Sequence, residues 1–195
     1  MTLAVRPLTG DALRAALGEL ARLRIAIFAA FPYLYSGSED YEREYLAEFT
    51  AAPDAVLVAA FDGERIVGAA TASPLIAQDD YICAPFERLG IDPAPVFYFG
   101  ESVLLPEYRG QGIGHAFFDQ REAAARAYGA THTSFCAVVR QADHPQRPAD
   151  YVSLDAFWQR RGYAPVPGLT GEFHWQEHGE AGESAKPMQY WMRAL

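Results

Sequence analysis

The sequence has little positive charge. Its 195 residues include 16 Lys and Arg against 25 Asp and Glu, which gives a formal net charge of −9. Nucleic-acid binders gain much of their affinity by neutralising phosphates, and anionic membranes attract basic segments. The charge balance therefore argues against a nucleic-acid or membrane partner. It fits an enzyme acting on small molecules, or a protein with a cationic partner.

Cysteine is also scarce. Cys83 and Cys136 are too few for a disulfide framework and are most simply small buried thiols, which favours a reducing, cytoplasmic setting. His132, His174 and His178 are scattered without the spacing of metal ligands, so no metal is expected.

Long hydrophobic runs are missing as well. A run such as residues 55–61 is far shorter than the roughly 20 apolar residues that a membrane-spanning helix needs. The first residues lack the basic start and apolar core of a signal peptide. Half of the residues are hydrophobic and no composition break appears, so we expect one folded domain over residues 1–195.

Hydrophobic periodicity predicts an α/β fold with the order β-α-α-β-β-β-α-β-α-β-β, a mixed sheet of about seven strands with helices on both faces. The predicted strands cover 3–8, 55–61, 65–73, 96–105 and 131–139, with closing stretches at 163–166, 171–176 and 186–193. The predicted helices run from about 11 to 30, 40 to 50, 112 to 128 and 153 to 161. Residues 74–95 read as a long connection with one helical turn near 85–89, and Gly100 marks a β-bulge.

The most informative segment is Arg109-Gly110-Gln111-Gly112-Ile113-Gly114, where a strand runs into a glycine-rich turn that opens a helix. The glycines let successive N–H groups point outward, and the helix N-terminus adds partial positive charge. The turn can therefore hold a phosphate or pyrophosphate. The pattern is neither a dinucleotide fingerprint nor a P-loop, and a tight connection without a ligand is the alternative.

This segment resembles the [Q/R]-x-x-G-x-[G/A] signature of the GNAT superfamily of acyl-CoA-dependent N-acyltransferases. The strand that follows the helix, and the short helix ending in Gly162-Tyr163, are also similar to that family. The resemblance implies a GNAT-like fold with acetyl-CoA as cosubstrate. It also implies that the strands at 96–105 and 131–139 are parallel neighbours that diverge, with the thioester between them.

The resemblance further implies how the coenzyme is held. Backbone amides from Gln111 to His115 would bind the pyrophosphate, and the backbone of residues 103–105 would pair with the pantetheine arm. The Leu104 N–H would polarise the thioester carbonyl, as in an oxyanion hole. Arg109 would contact phosphate or form a surface pair. The coenzyme-binding candidates are Val103, Leu104, Leu105, Arg109, Gly110, Gln111, Gly112, Ile113, Gly114 and His115.

Glu101 is the candidate base for the attacking amine, because it is an acidic residue in an apolar strand just before the turn. In strict alternation it shares a face with Phe97 and Phe99, and a bulge at Gly100 would change which face it occupies. A structural, paired carboxylate is the alternative role. Many GNAT members place a proton-donating Tyr where this chain has Trp158. Tyr151 could replace it as the acid for the thiolate, or water could, and Tyr151 could instead be structural or face the substrate.

The acceptor site is predicted from two loops. Phe31, Tyr33 and Tyr35 follow the first helix, where GNAT-like folds wall the acceptor, although these rings could equally pack on the core. His144 and Arg147 lie in a proline-stiffened loop and could bind a substrate carboxylate or relay a proton, or could be solvated.

Together these features predict an N-acetyltransferase that moves an acetyl group from acetyl-CoA to the amine of a small molecule, by direct attack in a ternary complex. Protein or peptide amines are an alternative acceptor. A non-catalytic acyl-CoA-binding or sensing module, or a nucleotide-binding protein, are alternatives from other classes. A homodimer is left open.

Overall fold

The computed structural model describes residues 3–195, apart from the Glu48 side chain. The strands are β1 Leu3–Leu8, β2 Val56–Asp62, β3 Arg65–Pro74, β4 Val96–Leu104, β5 His132–Val138, β6 Ala164–Trp175 and β7 Ser184–Ala194. The helices are α1 Gly10–Phe28, α2 Glu39–Ala51, α3 Asp80–Arg88, α4 Ile113–Tyr128 and α5 Asp155–Arg160.

The strands form one mixed sheet in the order β1-β2-β3-β4-β5-β7-β6. Each neighbouring pair is antiparallel except β4 and β5, which are parallel. The parallel pair is possible because α4 returns the chain across the sheet between them. The predicted mixed seven-stranded sheet is confirmed.

Helices cover both faces of the sheet. On one face, Leu20 of α1 and Leu46 of α2 pack against Leu57 and Val103. On the other face, Phe117 of α4 packs with residues of β2 and β3, and its neighbour Phe118 packs with residues of β4 and β5. Both faces of β4 are therefore buried, and the acidic residue that it carries must find its partners inside the protein.

The predicted long connection at 74–95 is wrong, because it contains the helix α3 after a short 3₁₀ turn at Leu75–Ala77. Pro85 lies inside α3 and removes one helical hydrogen bond, which is why the sequence disfavours a helix there. Ile82 and Phe86 are one helical turn apart and pack against Tyr98 and Tyr190. This burial outweighs the lost bond.

The two predicted strand pieces at 163–166 and 171–176 are one irregular strand, β6. Its register against β7 shifts between Pro165 and Thr170, and Gly168 within this interval has φ +77°. The prolines and glycines at this irregularity make the sequence resemble two strands.

Candidate active site

The parallel strands β4 and β5 separate after a short paired stretch. Residues 96–98 pair with residues 132–134. Beyond them β4 continues to Leu104 and β5 to Val138, and within the described chain no further pairs join the two strands. The prediction that these strands are diverging parallel neighbours is confirmed. The divergence leaves a gap whose walls are exposed strand edges.

A β-bulge in β4 sets the direction of Glu101. The register between β3 and β4 shifts so that Gly100 and Glu101 together lie opposite Thr71. A Cβ at position 100 would lie 2.5 Å from Thr71 Oγ1, so a side chain does not fit there. The Glu101 N–H donates to the same Oγ1 at 3.2 Å. The predicted bulge at Gly100 is therefore confirmed.

The bulge places Glu101 on the face opposite to the one that strict alternation would give. Phe97 and Phe99 pack in the core on the α4 side of the sheet. The Glu101 side chain instead contacts Arg24 of α1 and Tyr45 of α2 on the opposite side. The bulge adds one residue to β4, so side chains after it lie on the opposite face from the one that strict alternation predicts.

One oxygen of the Glu101 carboxylate is held by the protein and the other is not. Arg24 Nη1 lies 2.7 Å from Oε2, and the Tyr45 hydroxyl donates to Oε2 at 3.0 Å. The Glu101 side chain is only 4% exposed, yet its Oε1 has no hydrogen-bond partner among the described residues. An unpaired buried acceptor costs about 1–3 kcal/mol, so this oxygen is a natural acceptor for a ligand's donor.

A second buried carboxylate shares Arg24. Arg24 Nε donates to Glu42 Oε2 at 2.5 Å, and the Tyr35 hydroxyl donates to Glu42 Oε1 at 2.9 Å. We call Arg24, Glu42 and Glu101 the Arg24 cluster. Burial lowers the pKa of Arg24, but Glu101, Tyr45 and Glu42 raise it by more, so the net shift is upward. The cluster holds two carboxylates and one guanidinium, and a second buried guanidinium, Arg121, lies 3.4 Å from the Glu101 carbonyl oxygen.

Removing the guanidinium should destabilise the protein strongly. Arg24→Met leaves two buried carboxylates without their common counter-ion, and breaking a buried ion pair from one side costs about 3–5 kcal/mol. Arg22→Met on the same helix is the control, because its ion pair with Glu19 is exposed and is worth at most about 1 kcal/mol. Urea unfolding of both variants measures the difference. Equal losses of unfolding free energy in the two variants would show that Arg24 contributes no more to stability than a surface arginine.

The three aromatic residues predicted to wall the acceptor site have different positions. Tyr35 is buried and its hydroxyl donates a hydrogen bond to Glu42, so it contacts the Arg24 cluster. Tyr33 is half-buried, and its ring packs on Phe28 with centroids 4.6 Å apart. Phe31 turns toward the loop that follows β5.

The structure brings four of the predicted site residues together. The Phe31 ring lies 4.7 Å from Tyr151 and 5.5 Å from His144, between ring centroids. The Arg147 guanidinium lies 4.8 Å from the Tyr151 ring and 5.9 Å from the Phe31 ring. We call Phe31, His144, Arg147 and Tyr151 the Phe31 cluster. Residues from distant parts of the sequence thus form one surface.

Tyr33 packs on Phe28, and the Arg24 guanidinium lies 5.3 Å from the centre of the Phe28 ring. Burial raises the pKa of the Tyr33 phenol, Cys136 and Tyr151 raise it further, and Arg24 lowers it. The Tyr33 carbonyl accepts from Trp175 Nε1 at 3.0 Å, which fixes the segment to β6. Because its pKa is raised, the Tyr33 phenol is protonated at neutral pH.

The glycine turn has the backbone expected of an anion site. Gly110 and Gly112 have φ +74° and +82°, a region that favours glycine, and α4 begins directly afterwards at Ile113. The first N–H groups of a helix have no intrahelical acceptor. A Cβ on Gly114 would only touch Phe157, at 3.6 Å. The N-terminus of α4 therefore offers free donors at the end of β4.

The charged and polar side chains of the turn are exposed. Arg109 Nη2 lies 3.5 Å from the Leu104 carbonyl oxygen, and Gln111 Nε2 donates to the Glu107 carbonyl at 3.2 Å. His115 Nδ1 lies 3.3 Å from Arg161 Nη1. Arg109 thus adds positive charge beside the turn, whereas Arg161 is ion-paired with Asp119 and Glu122.

Leu104 directs its backbone N–H into the gap. The Leu105 N–H donates to the Val67 carbonyl at 3.0 Å, and Gly68 lies opposite Leu104. Hydrogen-bonded and non-hydrogen-bonded pairs alternate in an antiparallel ladder. The backbone of Val103 therefore also hydrogen-bonds to β3, and the Leu104 N–H points away from β3. Of the three residues expected to pair with a pantetheine arm, Leu104 alone presents its N–H to the gap.

Trp158 stands where many GNAT members have a proton-donating Tyr, and it has a packing role in this chain. Its ring packs on Phe135 and Trp191, with centroid distances of 5.0 and 5.2 Å. Tyr151 precedes α5 and is half-buried. Burial raises the pKa of the Tyr151 phenol, so it is protonated and able to donate at neutral pH.

Three residues that contact the site were not predicted from the sequence: Arg24, Glu42 and Tyr45. Arg24 carried a signal, because it is four residues after Leu20 on the apolar stripe of α1 and so places a charge on a buried face. Glu42 and Tyr45 lie on a predicted helix, but nothing in their spacing links them to Glu101.

A cavity of about 600 Å³ lies elsewhere, between the start of α1, the start of β2 and the C-terminal part of α4. None of the candidate site residues lines it. In the described part of the chain, no three His, Cys, Asp or Glu side chains group as a metal site requires. No helix among residues 3–195 is long and apolar enough to cross a membrane.

A family model described as the acetyltransferase (GNAT) family matches residues 21–163. The chain belongs to the GNAT acetyltransferase family. GNAT enzymes use acetyl-CoA, and this chain is an acyltransferase enzyme. The matched region contains the β4–β5 gap, the glycine turn and both side-chain clusters. A search of the curated proteins finds no match.

Solved GNAT structures share the fold over nearly the whole chain. A ribosomal-protein-alanine N-acetyltransferase from Brucella melitensis is 14% identical, with 98% of this chain and 99% of that chain covered and a TM-score of 0.61. A Salmonella typhimurium protein solved with its cofactor acetyl-CoA is 9% identical, with 100% and 95% covered and a TM-score of 0.61. A GCN5-related N-acetyltransferase from Kribbella flavida is 17% identical, with 99% and 98% covered and a TM-score of 0.58. At these identities the likeness establishes the fold alone.

Proposed function

We propose that residues 1–195 form one N-acetyltransferase domain that transfers the acetyl group of acetyl-CoA to the amine of a small molecule, by direct attack in a ternary complex. The observation that carries the proposal is the gap between β4 and β5. The glycine turn follows one wall of this gap, and the free oxygen of Glu101 lies on the side of the sheet covered by α1 and α2.

The glycine turn would hold the coenzyme. The backbone N–H groups from Gln111 to His115 would bind the pyrophosphate, and Gly110 and Gly112 give the turn its shape. Arg109 lies beside the Leu104 carbonyl at the mouth of the gap, close enough to add charge for the phosphates. These residues supply binding and orientation, and the thioester supplies the acetyl group.

Glu101 would accept the proton of the attacking amine. Arg24 and Tyr45 hold Oε2 in place, so Oε1 is the oxygen that receives the proton, directly or through a water. The Leu104 N–H would stabilise the negative charge that develops on the thioester oxygen. Both groups come from β4: the Leu104 N–H points away from β3 toward the gap, and the Glu101 side chain lies on the side of the sheet covered by α1 and α2.

Tyr151 would return a proton to the departing thiolate, with water as the alternative donor. Its phenol is protonated at neutral pH, and the ring is held between Phe31 and Arg147. Phe31, Tyr33, His144 and Arg147 would line the acceptor side. Tyr35 would act indirectly, because its hydroxyl holds Glu42 by a hydrogen bond.

The experiment mixes the protein with acetyl-CoA and a panel of small amines, and includes peptides with a free N-terminus. We expect thiol release that depends on the amine, with one acetyl group added per thiol by mass spectrometry. Thiol release that occurs only with peptides would show that the acceptor is a protein or peptide amine. No amine-dependent release, with acetyl-CoA still bound in calorimetry, would contradict the proposed transfer.

The cellular setting and assembly belong to the same proposal. The two unpaired cysteines, Cys83 and Cys136, support a reducing, cytoplasmic location. A homodimer is compatible with the proposed chemistry, and sedimentation equilibrium distinguishes it from a monomer.

A further inference from the structure

One guanidinium lies in the core without a carboxylate beside it. Arg121 on α4 is 1% exposed, and no acidic side chain of the described residues is within ion-pair distance of it. Its guanidinium lies over the rings of Phe99 and Phe118, 4.4 and 4.8 Å from their centres. Burial lowers the pKa of Arg121 to about 10, so the group is still charged at neutral pH. A buried charge is costly unless hydrogen bonds offset the lost solvation.

The hydrogen bonds of Arg121 lead to the bulge in β4. Its Nη1 donates to the Thr71 carbonyl and to the Glu101 carbonyl, each at 3.4 Å. Its Nε donates to the Phe117 carbonyl within α4 at 3.2 Å. Gly100 and Glu101 together lie opposite Thr71, where the bulge interrupts the hydrogen bonds between β3 and β4. One nitrogen of Arg121 therefore joins the two strands at the point where their own ladder is interrupted.

Side chains thus hold both backbone groups of Glu101. Its N–H donates to Thr71 Oγ1 at 3.2 Å, and its carbonyl accepts from Arg121. On the opposite side of the sheet, Arg24 and Tyr45 hold its carboxylate. The position of this carboxylate therefore depends on contacts made on both faces of the sheet, and Arg121 supplies the contact from α4.

We propose that Arg121 is a positioning residue for the reaction: it holds the β4 bulge, and the bulge holds Glu101 where it accepts the amine proton. The proposal rests on the proposed function, because it concerns the base of that same site. Arg121 acts through Glu101 and makes no contact with the reacting atoms. A misplacement of about 1 Å at a reacting group can lower a rate about 10²-fold, so a group in the core can control turnover.

The first test is Arg121→Met, which removes the charge and the donors and keeps a long side chain among the rings. We expect kcat per folded molecule to fall by about 10- to 100-fold. The KM for acetyl-CoA and the Kd of coenzyme A should stay nearly constant, because the glycine turn is unchanged. A folded Arg121→Met enzyme with the wild-type kcat would overturn the proposal.

Arg121→Lys is the conservative variant. Lysine keeps the buried charge and donates through one nitrogen, so it should restore part of the turnover that methionine loses. It also replaces the methionine variant in every measurement below if that variant does not fold. A lysine variant with no more turnover than the methionine variant, or with the full wild-type turnover when methionine does not fold, would count against the proposal.

Glu122→Gln is the control on the same helix. Glu122 is also buried, but its carboxylate accepts from Arg161, Arg193 and Tyr163 and has no contact with the bulge. We expect this variant to lose stability and to keep its kcat per folded molecule. Equal losses of kcat in the Arg121 and Glu122 variants would show a general effect of buried charge on α4 and would overturn the positioning role.

A double-mutant cycle with Glu101→Gln tests whether Arg121 acts through Glu101. Residues that act through one another give non-additive losses. Once the base is removed, Arg121→Met should lower the remaining turnover very little. The same fold-loss in the Glu101→Gln background as in the wild type would show that Arg121 affects turnover by another route, which contradicts the proposal.

Hydrogen exchange separates this proposal from the proposed function, because it needs no substrate. In Arg121→Met the Glu101 N–H should exchange about 10-fold faster, relative to the Ala59 N–H in the centre of the sheet, as expected for loss of one buried hydrogen bond. In Glu122→Gln this ratio should not change. Faster exchange together with normal turnover in Glu101→Gln would support the Arg121 contact and show that the base is assigned wrongly. An unchanged ratio in Arg121→Met would overturn the contact even if Glu101→Gln is inactive.

Discussion

Replacing Gly112 with valine should weaken coenzyme A binding by about 10²–10⁴-fold. Gly112 has φ +82°, and a β-branched residue there must move the backbone out of the left-handed region. The N–H groups that follow would then lose their alignment. Losing two charge-assisted hydrogen bonds, each worth about 1.5–3 kcal/mol, corresponds to that change in Kd. Calorimetric titration with coenzyme A measures it.

Gly129→Val is the matched control for this experiment. Gly129 ends the same helix with φ +93°, and a Cβ at either glycine meets nothing within 4 Å. Both variants therefore carry the same kind of backbone strain, at opposite ends of α4. We expect both to lose some thermal stability and only Gly112→Val to lose coenzyme binding. Equal coenzyme A affinity in the two variants would show that the pyrophosphate does not bind at the glycine turn.

Glu101→Gln should lower turnover by about 10²–10⁴-fold, the usual contribution of a general base. Glutamine keeps the size of the side chain and a carbonyl oxygen for Arg24 and Tyr45, but its side chain cannot take up the amine proton. Coenzyme A affinity should stay nearly constant, because the glycine turn is unchanged. Initial rates at saturating acetyl-CoA, corrected for the folded fraction, give the effect.

Glu42→Gln separates catalysis from structure. Glu42 is the other carboxylate on Arg24, and its replacement removes the same charge from the same cluster. A structural role for Glu101 predicts that both variants lose stability and that neither loses turnover per folded molecule. A catalytic role predicts a loss of turnover in Glu101→Gln alone.

Local features of the chain were predictable because the signal lies within a few residues. The glycines at 110 and 112 and the strand before them indicate an anion-binding turn, and the structure gives both glycines positive φ. Gly100 indicates a bulge, and the register shift occurs there. The direction of Glu101 was not predictable, because it depends on which residues of β4 the bulge leaves opposite Thr71.

The partners of the site residues could not be predicted, because they come from distant parts of the chain. Glu101 is held by Arg24 and Tyr45, and Phe31 meets Tyr151 only after the sheet has formed. Single-sequence patterns report which face of a helix is buried and say little about what packs against it. The helix α3 was missed for a related reason, since tertiary packing of Phe86 offsets the unfavourable Pro85.

The structure of crystals grown with acetyl-CoA tests the central claim most directly. The account predicts pyrophosphate oxygens within hydrogen-bond distance of the backbone N–H groups of residues 111–115. It also predicts the thioester between β4 and β5, with its carbonyl oxygen at the Leu104 N–H. Acetyl-CoA bound outside this gap, for instance in the cavity between α1 and α4, with the glycine turn empty, would contradict it.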